Sequence, residues 1–140
     1  MDQPTYKLIE HTADVGVELT ARSLPELFAL AARALFDIQV DLSQAQPSMS
    51  VGVKVTGSDL VDLLVVWLNE LQFRFEVDKL VFTEFDVQEV SDTAVCAICR
   101  GEPYQRARHG SKVLIKAVTY HMAAVEKRPD RWFARVIFDV

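Results

Sequence analysis

Two stretches of this chain carry acids where acids are costly. The first is His11-Thr12-Ala13-Asp14-Val15-Gly16, which leads into the alternating Val17-Glu18-Leu19-Thr20, so Asp14 stands where a loop becomes a strand. The second is Arg135-Val136-Ile137-Phe138-Asp139-Val140, a strand-like run with an acid at its penultimate position. A desolvated carboxylate needs a charged or hydrogen-bonding partner, or else it takes up a proton. If the two strands lie side by side, Asp14, Asp139 and a free carboxylate at Val140 converge on one oxygen-rich site. Oxygen ligands without thiolates or a paired-histidine motif suit a hard cation, Ca²⁺ or Mg²⁺, better than zinc. The bland alternative is that Asp14 caps a turn and Asp139 ends a strand in water.

Other polar residues are candidates for smaller roles. His11 and His121 could serve as ligands or bases, although a lone histidine on an apolar strand is more often structural. Glu70 lies on an otherwise apolar helical stretch and either reaches the acidic site or faces water. Arg100, Arg106, Arg108, His109 and Lys112 surround Gly101-Glu102-Pro103-Tyr104 and form the one basic cluster, a solvated loop face or a contact surface for an acidic partner or for RNA ends held by that partner. Cys96 and Cys99 have CxxC spacing, but in an extended segment an odd separation puts them on opposite faces, which argues for two structural thiols. There is no phosphate-binding glycine loop, nucleophile elbow or zinc-binding helix motif, so no residue is assigned a catalytic role.

The elements that must position these groups follow from periodicity. Tyr6–Glu10 and Val15–Ala21 read as strands. Ser23-Leu24-Pro25-Glu26 opens a helix, with Ser23 as cap, Pro25 in the first turn and Glu26 completing a capping box. Leu24, Leu27, Phe28, Ala31, Leu35 and Ile38 make its apolar stripe. Leu42–Ser50 reads as a surface loop and Val51–Val55 as a short strand. Gly57-Ser58-Asp59 then opens a second helix with Leu60, Leu63, Leu64, Trp67, Leu68, Leu71 and Phe75 on its buried face. From Leu80 the pattern turns to strands: Leu80–Val90, Thr93–Arg100, Lys112 to about Val125, and Arg131–Val140. The expected class is α+β, a single domain over residues 1–140 with two helices packed on one side of a largely antiparallel β-sheet.

The 140 residues suffice for one buried core. No apolar run approaches the ~20 residues of a membrane span, and Met1-Asp2-Gln3-Pro4 does not resemble a secretion signal, so the expectation is a soluble, cytoplasmic protein with no membrane contact. Fifteen basic against twenty acidic side chains give a net charge of −5, which argues against wholesale binding of a phosphate backbone and leaves room for a small basic face.

The segments His11–Gly16, Trp67-Leu68-Asn69-Glu70-Leu71, Gly101–Tyr104, Lys116-Ala117-Val118-Thr119-Tyr120-His121 and Arg135–Val140 together resemble the archease family, in order and over the whole chain. The resemblance implies a non-catalytic accessory protein that activates RtcB-type RNA ligase in tRNA splicing or RNA repair. It would accelerate the attachment of GMP to the ligase's own histidine and allow multiple turnover, meeting RNA only through the ligase. It also implies a divalent metal, typically calcium, on Asp14, Asp139 and Val140. Glu70, Arg106, Arg108 and His109 are the candidate partner contacts. The competing expectations are a small metal-dependent phosphoester hydrolase, with His11 or His121 as base, and a general chaperone or scaffold.

Overall fold

The computed structural model describes residues 4–10 and 14–140. The chain order is β1 (Thr5–Glu10), β2 (Asp14–Ala21), α1 (Leu24–Gln39), β3 (Met49–Thr56), α2 (Leu60–Glu76), β4 (Leu80–Val90), β5 (Ala94–Pro103), the one-turn α3 (Arg106–His109), β6 (Ala117–Lys127) and β7 (Trp132–Asp139). The class is α+β with antiparallel pairing, as the patterning predicts. The strands divide between two sheets, however, of order β1-β2-β7-β6 and β3-β5-β4. The last strand enters between β2 and β6, which sets an N-terminal strand beside the C-terminal one.

Both long helices start where the sequence places a cap. Ser23 accepts from the Glu26 N–H at 3.3 Å, and Asp59 accepts from the Asp62 N–H at 2.8 Å. The apolar stripe of α1 is buried from Leu27 to Phe36, and α2 buries Leu63, Leu64, Trp67, Leu68 and Leu71. Each fully buried Leu or Phe contributes about 1.5–3 kcal/mol relative to exposure. Trp67 also ties the helices together, its indole N–H donating to the Phe28 carbonyl at 3.0 Å. On β2 the odd positions Val17 and Leu19 enter the core, as do Ala134, Val136 and Phe138 of β7. Both acids of the expected site therefore fall on the other, outward face of this sheet.

The end of β5, the start of β6 and the interior of β6 differ from the sequence reading. β5 runs on to Pro103, so Gly101 and Glu102 belong to a strand, paired with Phe82 and Val81 of β4, and not to a loop. Residues 112–116 are not a strand; pairing with β7 begins only at Ala117. In β6 the register then slips: Thr119 faces Ile137 and Ala124 faces Arg135, five steps on one strand against two on the other. The surplus forms a bulge in which Met122 has φ 55°. The Arg135 guanidinium Nε donates to the Met122 carbonyl at 2.9 Å, and the Tyr120 hydroxyl donates to Asp62 at 2.5 Å. Period-two patterning hides such a bulge, because each half of the strand still alternates.

Candidate functional site

Asp14 and Asp139 are direct cross-strand partners in the β2–β7 pair. Opposite residues on one face of an antiparallel pair have Cβ atoms about 4.5–5.5 Å apart, and two like charges so placed destabilise the sheet. The Asp14 side chain is half-buried, and its Oδ1 is fully buried with no hydrogen-bond partner among the described residues. Native interiors rarely leave such an atom unpaired. Asp139 is exposed, and its carbonyl accepts from the Lys116 N–H at 2.7 Å, fixing the strand end beside the start of β6. Val140 follows, half-buried and packed against the core. A divalent cation fits this donor set, because it would neutralise the facing pair and satisfy the orphaned oxygen. Among the described residues the acidic site gathers two side chains, and no group of three His, Cys, Asp or Glu is close enough to form a metal cluster. His11, Thr12 and Ala13, the rest of that motif, lie outside the described residues.

The remaining candidates lie elsewhere. His121 is exposed on the β6 bulge. Glu70 pairs with Arg74 one turn on in α2, at 2.8 Å. The useful polar group of that helical segment is its neighbour Asn69, whose amide donates to the Val118 carbonyl and accepts from the Val118 N–H, both at 3.1 Å. It thus clamps β6 from outside its ladder. An amide among apolar helical positions was the available signal for this role.

The basic cluster is built around a buried acid. Glu102 and His109 are 6% and 1% exposed. The His109 Nδ1 accepts from the Gln105 N–H at 2.9 Å, so the ring proton sits on Nε2 and is donated to Glu102 Oε2 at 2.8 Å. Arg108 completes the group at 2.6 Å from Glu102 Oε1. A chain of rings fixes it to the core: Phe36 packs against Phe75, Phe75 against Tyr104, and Tyr104 stacks on His109 with centroids 5.7 Å apart. As a partner contact His109 is therefore out of reach of solvent, and it serves to hold α3 in place. Arg106 and Arg108 remain on the exposed side.

Burial pushes the Glu102 carboxyl up, but hydrogen bonds from His109 and the Gln46 N–H, with the Arg108 charge, bring it to a net value below the usual range. Its contribution to stability is therefore complete above the ordinary carboxylate pKa of about 4.3 and is lost as pH falls through the lowered value. Glu102→Gln is expected to cost about 1–3 kcal/mol at pH 7, by leaving a buried donor mismatched. Melting curves from pH 7 to 3 should show the gap to wild type closing at the acid end; a gap independent of pH would contradict this account. The cysteines are separated as alternation predicts. Cys99 is buried, with its thiol pushed by burial up to about 12, while Cys96 is half-buried on the opposite face.

The model of the Archease protein family matches residues 6–140. The chain belongs to the archease family. The protein archease of Methanopyrus kandleri is 41% identical over 138 residues, covering 96% of this chain and 99% of that one. The archease of Pyrococcus furiosus is 34% identical, covering 94% and 95%. The fold is shared with a Methanobacterium thermoautotrophicum protein solved in solution, with a TM-score of 0.84 at 30% identity over 96% of this chain and 98% of that one. A crystal structure of an archease from Thermotoga maritima, described as a possible chaperone, has a TM-score of 0.66 at 20% identity, covering 100% and 98%, and supports the fold alone. No helix among the described residues is long and apolar enough to cross a membrane.

Proposed function

We propose that this archease-family chain activates an RtcB-type RNA ligase, accelerating the ligase's guanylylation and allowing repeated turnover in tRNA splicing or RNA repair. A divalent metal, calcium in the first instance and magnesium as the alternative, is held by Asp14 and Asp139 with Val140 as third ligand. The observation that carries the reading is the Asp14–Asp139 cross-strand pair, with a buried Asp14 Oδ1 that has no hydrogen-bond partner among the described residues. Family membership supports an accessory role, and the possible-chaperone description of the Thermotoga maritima relative is compatible with one.

An activator without catalytic groups can act only by binding one state of its partner better than another. The chain's own contribution is a rigid platform. β7 lies between β2 and β6, Asn69 braces Val118, and the Lys116 N–H fixes the Asp139 carbonyl, so the outward carboxylates cannot relax apart without breaking the ladder. The bound cation would supply positive charge at an exposed sheet end, open to a group from another protein. The test is a guanylylation time course of the cognate ligase with and without this protein. A rate increase, with no GMP attached to this protein itself, is expected; an unchanged rate would refute the reading.

A further inference from the structure

β6 is an edge strand, so on its free side the backbone groups have no strand to receive them. Side chains of α2 stand in for one. Asp62 accepts from the Tyr120 hydroxyl at 2.5 Å, Asn69 bonds Val118, and the Gln72 amide donates to the carbonyl of Ile115, just before the strand, at 2.9 Å. The Gln39 side-chain oxygen accepts from the Ile115 N–H at 3.0 Å, and Gln39 and Gln72, both almost fully buried, bond each other at 2.7 and 3.0 Å.

Of these ties, the one at Asn69 bears on the acidic pair. Its amide donates to the Val118 carbonyl and its oxygen accepts from the Val118 N–H, both at 3.1 Å, the two bonds a neighbouring strand would make. Val118 faces Phe138, the residue before Asp139, and Ala117 faces Asp139 itself. The Lys116 N–H donates to the Asp139 carbonyl at 2.7 Å. Residues 116–118 are therefore the bank against which the end of β7 rests, and Asn69 holds that bank from outside. Asn69 is exposed in the middle of a helix, where asparagine is a poorer helix former than alanine, leucine or lysine, so the helix by itself gives no reason for it.

A cation shared by two opposed carboxylates needs both strand ends docked at once. Strand ends and edges open most readily, and any undocked fraction weakens apparent affinity in proportion. We infer that Asn69 is a positioning residue of the Asp14–Asp139 cation site, setting its affinity by keeping residues 116–118 docked against the end of β7. This rests on the metal reading above. It couples α2 to the ion, although no side chain of α2 is among the proposed ligands.

The test is calorimetric titration of calcium chloride, in chelator-free buffer, into wild type, Asn69→Ala, Asn69→Ser and the control Ser23→Ala, with melting temperatures of the same preparations taken in chelator. Ser23→Ala removes the cap of α1 and so lowers stability away from the site. Both Asn69 variants lose the two-bond clamp and should raise the calcium Kd roughly tenfold, whereas the control should melt lower and bind as wild type does. If the Asn69 variants melt lower but bind calcium as tightly as wild type, the clamp serves stability alone; the inference is overturned and the metal reading stands. If the control weakens binding as much as they do, affinity follows global stability and the inference is likewise overturned. If wild type binds neither calcium nor magnesium, the metal reading falls and takes the inference with it.

Discussion

Asp139→Asn is expected to stabilise the protein in chelator and destabilise it, relative to wild type, in calcium. Without a cation, Asp14 and Asp139 face each other across β2 and β7, and removing one of two directly opposed like charges should gain about 0.2–1 kcal/mol. With calcium at a hundred times its dissociation constant, wild type gains about 2.7 kcal/mol by mass action, whereas the variant gains little. The order of melting temperatures thus reverses between the two buffers, a pattern that general damage to the fold cannot produce. Asp139 is exposed and makes no side-chain contribution to the core, so the variant should fold normally while losing most of the ligase stimulation proposed above. Parallel thermal melts with chelator and with calcium decide the matter. If calcium shifts both proteins equally, the ion binds elsewhere, and if it shifts neither, the facing carboxylates are not a cation site.

The largest loss of stability is expected from Gly101→Ala. Gly101 sits opposite Phe82, just before β4 slips register between Phe82 and Glu84. A Cβ there would overlap the Val81 carbonyl oxygen and lie 2.8 Å from the Phe82 Cα. These are backbone atoms of a central pairing, with Val81 and Phe82 both fully buried, so no side-chain rotation relieves the clash. The strands would have to separate, taking Glu102 and its His109 contact with them. A loss above about 4 kcal/mol, enough to prevent folding of many domains of this size, is the expected result. Denaturant unfolding checks it, with Gly52→Ala as the control. Gly52 lies on β3 of the same sheet, and a Cβ there meets nothing within 4 Å. Equal stability of the two variants would contradict the clash.

Local chemistry wrote much of this structure into the sequence. Ser23, Pro25 and Asp59 start helices because capping and φ restriction act within a few residues, and the apolar stripes of α1 and α2 are buried because a 3.6-residue period presents one face. Alternation on β2 and β7 put Asp14 and Asp139 outward, and separated Cys96 from Cys99, for the same reason. The motifs that signal the family are also sequence information, as is the choice of Asp14 and Asp139 as a pair worth testing.

What no local rule could supply is which strands become neighbours. β2 and β7 are more than a hundred residues apart, and their pairing depends on long-range burial that periodicity does not encode, so only the tertiary structure set the two carboxylates opposite each other. The same holds for the division into two sheets, and for the β4 approach that makes Gly101 a strand residue rather than a loop residue. His109 read as surface because it lies in a basic run; the fold buried it against Glu102, an acid whose partners are set by three-dimensional packing. Gln39 and Gln72 looked like ordinary polar positions on helices. Their function exists only because α1, α2 and residues 111–116 meet around one buried residue, Ile115, whose backbone N–H and carbonyl find there the partners that water would otherwise supply.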